Sequence, residues 1–230
     1  MKELEPYLNK VTQGDCLEIL KQLPDKCIDL VLTDPPYGMA YQSSWRTDKH
    51  DLIHFDELEN DEWVIPFLKE AYRVLKDDTH IYIFCNDYLF AKFREWMPFC
   101  GFTLKRTLVW VKNNHTSGDL EGDYGNKTEW VIFAHKGRRL LNGNRDTNVL
   151  NFSRVSDTDD HPTPKPVDLC QFLVEKSTQA GEIVLDPFLG SGTTAVACKQ
   201  INRNFIGIEK EQKYVDIANE RLSKMTGNLF

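Results

Sequence analysis

Residues 183–194 read Ile183-Val-Leu-Asp186-Pro-Phe-Leu-Gly190-Ser-Gly192-Thr-Thr194, and this segment indicates the fold class. An apolar run ends at Asp186, two glycines follow, and an amphipathic run of helical period begins at Thr193. The sequence therefore predicts a strand, a tight loop and a helix. Glycine carries no side chain, so a ligand can approach the loop backbone closely. The loop lacks the lysine of a phosphate-binding P-loop, and its spacing is not G-x-G-x-x-G.

Short apolar runs and amphipathic stretches alternate on both sides of this unit. The apolar runs predict strands at residues 28–33, 80–85, 104–112, 130–135, 183–186 and 204–209. The amphipathic stretches predict helices at residues 15–23, 61–75, 87–99, 165–177, 193–200 and 211–222. This alternation is typical of an α/β fold, a parallel sheet covered by helices on both faces. Ligands of such sheets bind beyond the carboxyl ends of the strands.

Length and composition predict a single domain, residues 1–230. The chain has 230 residues, of which 41% are hydrophobic and 27% are charged, and this suits one globular domain. No apolar run approaches the roughly 20 residues of a membrane span, and the first residues lack the apolar core of a signal peptide. We therefore expect a cytoplasmic protein without a membrane partner. The six cysteines are scattered singly, which favours neither a disulfide framework nor a metal site.

A second acidic strand end accompanies the glycine loop. The next predicted strand closes with Gly207-Ile-Glu209, which puts a carboxylate where ribose hydroxyls bind in nucleotide-binding α/β folds. Nicotinamide-dependent enzymes share this arrangement, so it indicates a nucleotide-like cofactor without specifying which one. A plain tight turn followed by a surface glutamate stays open as the structural alternative.

A rigid acidic turn follows the first predicted strand. Residues 28–33 run into Asp34-Pro35-Pro36-Tyr37-Gly38, and two successive prolines restrict the backbone of this turn. Such a turn can hold a carboxylate, a backbone carbonyl and an aromatic ring around a flat base that bears an amino group. If Asp34 and the Pro35 carbonyl accept the two amine hydrogens, the nitrogen lone pair can face a methyl donor. The alternative is a stiff turn with a solvated aspartate.

The charge distribution predicts where nucleic acid binds. The net charge is −7, yet residues 105–154 carry an excess of lysine and arginine. Phosphate binding depends on the local field, so a basic segment on an acidic body can hold DNA, with a solvated basic loop as the alternative. Trp45 and Trp110 are candidates to stack on bases. The predicted phosphate contacts are Lys112, Lys136, Arg138, Arg139 and Arg145.

Taken together, the motifs resemble the β-class amino-methyltransferases of bacterial and phage DNA modification. In that family the catalytic tetrapeptide precedes the cofactor loop, a circular permutation of the usual order, and Asp34-Pro-Pro-Tyr37 precedes the glycine loop here. Residues 14–20 (Gly-Asp-Cys-Leu-Glu-Ile-Leu) are similar to the segment that contacts the cofactor's adenine. Residues 161–169 (His-Pro-Thr-Pro-Lys-Pro-Val-Asp-Leu) are similar to the element that helps hold its methionine end. Glu209, Tyr214 and Arg221 match the acid and helix that follow.

This resemblance implies a Rossmann-like methyltransferase fold with a seven-stranded, mostly parallel sheet, and S-adenosylmethionine as the cofactor. It implies no metal. It assigns catalysis to Asp34, Pro35, Pro36 and Tyr37. It assigns cofactor binding to Asp15, Cys16, Asp34, His161, Thr163, Lys165, Asp186, Pro187, Phe188, Gly190, Ser191, Gly192, Thr193 and Glu209.

The resemblance also implies a substrate and partners. The substrate is double-stranded DNA, read by a short target-recognition segment at residues 113–160. An aspartate at the head of the tetrapeptide is typical of adenine-modifying members and serine of the cytosine 4-amino enzymes, which favours adenine and leaves cytosine open. We expect a homodimer, because one subunit of this size offers little basic surface. A cognate restriction enzyme is a further candidate partner.

Three other functions compete with this interpretation. Methyltransferases that act on RNA or on a protein glutamine amide have a similar proline-proline turn, but they usually place the glycine loop before it. A nicotinamide-dependent oxidoreductase leaves the turn unexplained and lacks its G-x-G-x-x-G signature here. A non-catalytic DNA-binding relic of a methyltransferase stays open, although every catalytic position is intact.

Overall fold

The computed structural model describes residues 2–36, 62–115, 121–122, 124–155 and 164–226. One mixed sheet is covered by α-helices on both faces. The strands are β1 (Lys10–Gln13), β2 (Ile28–Thr33), β3 (Leu75–Cys85), β4 (Thr103–Leu104), β5 (Leu108–Val111), β6 (Thr128–Lys136), β7 (Val149–Asn151), β8 (Ile183–Asp186) and β9 (Asn204–Glu209). The helices are α1 (Cys16–Leu20), α2 (Val64–Val74), α3 (Asp87–Phe99), α4 (Val167–Ser177), α5 (Thr193–Gln200) and α6 (Gln212–Thr226).

The strands lie in the order β1-β9-β8-β2-β3-β6-β5-β7, with β4 beside β6. Neighbours from β1 to β3 are parallel, whereas β6 is antiparallel to β3, β4 and β5. The predicted fold class is confirmed, but the described residues form nine strands instead of the seven expected. The strand predicted at 104–112 is interrupted and becomes β4 and β5. The outermost strands β1 and β7 are too short for apolar alternation to reveal them.

Strand β2 illustrates why the sheet is buried on both faces. All six of its residues are buried, and successive side chains point to opposite faces. Val31 packs in the layer formed with α1, α2 and α3, whereas Leu30 and Leu32 pack in the layer formed with α4, α5 and α6. The nearly continuous apolar run at residues 28–33 therefore reflects two layers of helices, as expected for a central parallel strand.

Strand direction gives the sheet two functionally different edges. Strands β2, β3, β8 and β9 end on one side, which we call the carboxyl edge, at Thr33, Cys85, Asp186 and Glu209. The opposite side is the amino edge. Because β6 is antiparallel to β3, it starts at the carboxyl edge, where Trp130 pairs with Cys85, and ends at the amino edge, where Lys136 pairs with Thr79.

The helices begin and end close to their predicted positions. Helix α3 starts after Asn86, whose side chain accepts a hydrogen bond from the Leu89 N–H and so caps the helix. Helix α4 starts at Val167 and not at 165, because Pro166 has extended backbone and precedes the first turn. Within the described residues, no helix has both the length and the apolar character to span a membrane.

Candidate active site

The predicted catalytic turn continues directly from β2, the strand that lies between β8 and β3. Asp34 is half-buried, Pro35 is buried and Pro36 is half-buried, while Tyr37 lies outside the described residues. Strand β2 therefore brings the Asp34 carboxylate to the carboxyl edge, beside the end of β8 where the glycine loop begins.

Asp34 is held by a lysine from the segment that precedes α4. The Lys165 ammonium forms an ion pair with the Asp34 carboxylate, and it lies 3.3 Å from Oε2 of Glu129. The other oxygen of Glu129, Oε1, lies 2.7 Å from Nζ of Lys112. Burial opposes the charged form of Lys165, but the two carboxylates outweigh this effect and hold its pKa above the ordinary lysine value.

Glu129 was not among the residues predicted from the sequence. It lies on β6 in line with Val131 and Phe133, because side chains two residues apart share a face of a strand. Val131 and Phe133 are buried in the layer that contains α4. A charged residue that ends a buried apolar row is the sequence signal that could have identified it.

The carboxylate of Asp186, at the end of β8, is buried and hydrogen-bonded to other residues of the chain. Its Oδ1 accepts hydrogen bonds from the Thr33 hydroxyl at 2.8 Å and from the Phe188 N–H at 3.1 Å. Burial raises the pKa of Asp186 to about 6. Pro187, the next residue, is also buried. Because Thr33 directly precedes Asp34, this contact joins the catalytic turn to the glycine loop.

The two glycines of the loop have different neighbours. Gly190, with φ of 54°, donates its N–H to Oε2 of Glu209 at 2.8 Å. Gly192, with φ of 88°, precedes α5 and faces α6, and a Cβ added to it would lie 2.8 Å from Cβ of Ala218. Both residues have left-handed backbone, which favours glycine. At Gly192 the absence of a side chain therefore allows α6 to pack closely against the loop. At Gly190 it allows the left-handed turn in which the N–H bonds to Glu209.

Side chains from α2 and α6 fix the glycine loop from two sides. The Arg221 guanidinium of α6 donates to the Ser191 carbonyl at 2.7 Å, to the Ser191 hydroxyl at 3.2 Å and to the Thr193 hydroxyl at 3.4 Å. The Phe188 ring packs edge-on against Phe67 of α2, with ring centroids 5.4 Å apart. Contacts with α2 and α6 thus hold the loop in this conformation.

Glu209 ends β9 with its carboxylate at the base of the glycine loop. One oxygen accepts the Gly190 N–H and the other accepts the Glu211 N–H, each at 2.8 Å. Burial raises the pKa of Glu209 above the ordinary glutamate value. Each carboxylate oxygen has a second lone pair, so the group retains capacity to accept bonds from a ligand.

Asp15 and Cys16 lie beside Glu209, because β1 pairs with β9 and the Gly14 N–H donates to the Glu209 carbonyl at 2.9 Å. One Asp15 oxygen caps α1 by accepting the Leu17 N–H at 2.9 Å, and the other lies 3.8 Å from the Lys210 ammonium. Burial raises the pKa of the Cys16 thiol to about 12. Two further predicted residues lie outside the described ranges, His161 and Thr163.

Comparison with known proteins identifies the family. Residues 28–220 match the N6/N4 methyltransferase family model, whose description is DNA methylase. The chain belongs to this family. The matched span of the methylase contains both the catalytic turn and the glycine loop, in the order that the resemblance predicted. In the described part of the methylase, no group of His, Cys, Asp and Glu side chains is arranged to hold a metal ion.

Relatives and solved structures agree with this assignment. The methylase is similar to Type II methyltransferase M.HinfI of Haemophilus influenzae, with 30% identity over 99% of this chain and 72% of the relative. The crystal structure of the M1.HpyAVI–SAM complex is 28% identical, with a TM-score of 0.71 over 92% of this chain and 98% of its own. PvuII DNA methyltransferase (cytosine-N4-specific) shares the fold, with a TM-score of 0.76 at 21% identity over 94% of this chain and 89% of that chain. The family and these structures support S-adenosylmethionine as the cofactor.

Several predicted phosphate contacts of the methylase lie at the amino edge, away from Asp34. Lys136 ends β6 there, and its buried ammonium donates to the carbonyls of Tyr72 and Leu75 at 2.7 and 2.6 Å. Burial lowers the pKa of Lys136 below the ordinary lysine value. Arg139 forms an ion pair at 2.6 Å with Glu182, which directly precedes β8. Neither side chain is available to DNA bound at the carboxyl edge.

Arg138 and Arg145 are exposed, but they too belong to the amino edge. Arg138 follows the end of β6 and donates its backbone N–H to Asp78. Asp146, next to Arg145, pairs with Lys176 in the last turn of α4, which leads into the start of β8. The predicted phosphate contacts therefore do not form one surface around the catalytic turn.

Lys112 does lie at the carboxyl edge, but in a different role from the predicted one. It is buried, and its ammonium is paired with Glu129. Trp110, proposed to stack on bases, is buried and donates its indole N–H to the Phe152 carbonyl at 2.8 Å. It is therefore a packing residue, and Trp45 lies outside the described residues.

Proposed function

We propose that this DNA methylase transfers a methyl group from S-adenosylmethionine to the exocyclic 6-amino group of adenine in DNA, after the base has left the double helix. The observation that carries the proposal is the position of Asp34 and the glycine loop at the ends of the adjacent strands β2 and β8. An acceptor for amine hydrogens and a backbone that a ligand can approach then share one edge of the sheet.

Asp34 and the Pro35 carbonyl are proposed to orient the amine. The amino nitrogen of adenine is a poor nucleophile, because its lone pair is delocalised into the ring. When its two hydrogens bond to the Asp34 carboxylate and the Pro35 carbonyl, the nitrogen becomes pyramidal and its lone pair turns away from the ring. Asp34 then accepts the proton that the alkylated amine releases. S-Adenosylmethionine supplies the methyl group as an electrophile on a positively charged sulfur, and Tyr37 is proposed to stack on the base.

The residues along the carboxyl edge from β1 to β8 suit that cofactor. The second lone pairs of Glu209 can accept the ribose hydroxyls. We assign Asp15, at the neighbouring strand end, to the adenine, and Lys165, with its positive charge, to the carboxylate of the methionine end. The half-buried acids of this edge complement a cofactor whose sulfur is positively charged. His161 and Thr163 keep their proposed contacts to the methionine end.

Product analysis tests both the reaction and the base. The purified protein is incubated with unmethylated DNA and S-adenosylmethionine labelled in the methyl group, and the DNA is digested to nucleosides. We expect the label in N6-methyladenine. Label in N4-methylcytosine would assign the protein to the cytosine 4-amino enzymes, and DNA without label would overturn methyl transfer and leave a binding protein.

We propose that DNA lies against the carboxyl edge, around the connections that follow β5 and β7. The Arg154 N–H donates to Oδ1 of Asn113 at 3.0 Å, which ties these two connections together. Exposed Lys127, which directly precedes β6, lies at the same edge. Both cations belong to residues 113–160, which we retain as the target-recognition segment.

We further propose that the methylase acts as a homodimer in the cytoplasm. A second copy would double the basic surface available to DNA, which is small on one acidic subunit. Light scattering at micromolar concentration should give the mass of two chains, and a monomeric mass with cofactor and DNA both present would contradict the proposal. A cognate restriction enzyme stays a candidate partner.

A further inference from the structure

Three apolar rows of side chains end in a charge at the carboxyl edge, on the face of the sheet that α4 covers. Reading toward that edge, the rows are Leu30, Leu32 and Asp34 on β2, Leu108, Trp110 and Lys112 on β5, and Phe133, Val131 and Glu129 on β6. Lys165 joins them from the segment before α4, with its ammonium 5.3 Å from the centre of the Phe84 ring. An apolar side chain is the ordinary occupant of such a position, so charges at all three row ends require an explanation.

Glu129 connects the two lysines of this cluster. Its Oε1 lies 2.7 Å from Lys112, and its Oε2 lies 3.3 Å from Lys165. Oε2 is buried and accepts no well-aligned hydrogen bond from the described residues. Burial opposes ionisation, but the ammonium groups of Lys165 and Lys112 outweigh it and lower the pKa of Glu129. Glu129 is therefore an ionised carboxylate whose Oε2 is directed at Lys165.

Lys165 consequently lies between two carboxylates that attract it in different directions. The ammonium contacts Asp34 directly and lies 3.3 Å from Oε2 of Glu129. The attraction of Glu129 therefore acts on the ammonium from a second side and restricts where it stands beside Asp34. Lys112 balances the negative charge of Glu129, so the four groups carry no net charge.

We propose that Glu129 is a positioning residue for methyl transfer, which holds Lys165 at a fixed place beside Asp34. Glu129 also pairs with Lys112, the first residue after β5, and so links the position of Lys165 to the connection between β5 and β6. This inference rests on the proposed function of Asp34. Glu129 touches neither base nor cofactor in this scheme, and it acts only through the lysine.

The variant Glu129→Gln tests this role, with Glu182→Gln as the matched control. Glu182 is also partly buried, and it pairs with a cation, Arg139, but at the amino edge. We expect Glu129→Gln to lower kcat on DNA by about 100-fold, because misplacing a group at the reacting centre has effects of this size. The KM for DNA should stay near the wild-type value, and Glu182→Gln should leave kcat unchanged.

A double variant separates positioning from simple charge neutralisation and covers the case in which Glu129→Gln fails to fold. Lys112→Met with Glu129→Gln removes one charge of each sign, so no unpaired ammonium stays buried. If Glu129 positions Lys165, the double variant folds and its kcat stays low. A wild-type kcat in the double variant, or in Glu129→Gln, would overturn the proposal. A wild-type protein that transfers no methyl group to DNA would instead contradict the proposed function and this inference with it, whatever the variants do.

Discussion

The two halves of the carboxyl edge are built in different ways. Beside β8, β9 and β1, acidic side chains bond to backbone N–H groups, as Glu209 does to Gly190 and Glu211. Beside β2, β5 and β6, side-chain charges meet charges from distant parts of the chain, as Asp34 and Lys165 do. The cofactor half therefore depends on backbone geometry, and the catalytic half depends on charge balance. Substitutions that affect one property at a time test this contrast.

The largest effect is expected in the catalytic half, from Asp34→Ala. Loss of the proposed acceptor for the amine should lower kcat by about 10²–10⁴-fold. The affinity for S-adenosylmethionine should stay within about tenfold, or 1.4 kcal/mol, because most proposed cofactor contacts lie beside β8, β9 and β1. Methyl transfer and calorimetry on the same preparation measure the two quantities. Wild-type turnover in this variant would remove Asp34 from the mechanism.

In the cofactor half, a backbone substitution should reduce stability. Gly192 and Gly181 have similar left-handed φ values, 88° and 82°. A Cβ added to Gly192 would lie 2.8 Å from Cβ of Ala218, whereas a Cβ added to Gly181 would meet no atom of the described residues within 4 Å, its chain neighbours aside. We expect Gly181→Ala to lower the free energy of unfolding by about 1–2 kcal/mol through strain alone. Gly192→Ala should lower it by about 2–5 kcal/mol, because overpacking adds to the strain. Equal losses in urea denaturation would show that α6 moves aside at little cost.

The hydrogen bond between Thr33 and Asp186 joins the two halves, and the titration of Asp186 should make the stability of the protein depend on pH. Burial places its pKa in the folded protein at about 6, above the ordinary 3.8, so the folded state binds the proton more tightly than the unfolded state. The stability that this provides is complete below pH 3.8 and is lost as the pH rises through 6. Asp186→Asn does not titrate, so its stability relative to wild type should rise across this window by roughly 3 kcal/mol. A difference that is independent of pH would show that the carboxyl group titrates normally.

The smallest effect concerns the DNA surface, where the two edges of the sheet make opposite predictions. Lys127→Ala at the carboxyl edge should flatten the dependence of DNA affinity on salt by roughly one unit of the logarithmic slope. The double variant Arg138→Ala, Arg139→Ala, at the amino edge, should leave the slope unchanged. The reverse result in filter-binding or fluorescence titrations would move the DNA to the amino edge.

The cofactor half was predictable because its signals are local. Strand 183–186, helix 193–200 and strand 204–209 have the predicted bounds. Buried apolar runs mark the strands, and the glycine pair marks the turn between the first strand and the helix. The same holds for the strand at 28–33 and the prolines that follow it. Each of these features is contained in a few consecutive residues.

The catalytic half was only partly predictable, because it depends on strand direction. Residues 136–139 follow the predicted strand 130–135, as Asp34 follows β2, and would stand at the carboxyl edge if β6 were parallel to β3. It is antiparallel to β3, so Lys136 and the arginines after it stand at the opposite edge. The same reversal brings Glu129, at the start of β6, next to Lys165. Apolar periodicity is identical for the two directions, so the sequence pattern does not distinguish them.

The pairing of β2 with β8 has a consequence for synthesis of the chain on the ribosome. Thr33 and Asp186, which join the two strands, are 153 residues apart in the sequence. At a synthesis rate of about 5–20 residues per second, β8 is synthesised roughly 8–30 s after β2, and the side of β2 that pairs with β8 has no partner until then. β1 waits longer still, because it pairs with β9. During that interval two early strands present unpaired backbone to other chains, so the nascent protein is most prone to aggregation before the glycine loop has been made.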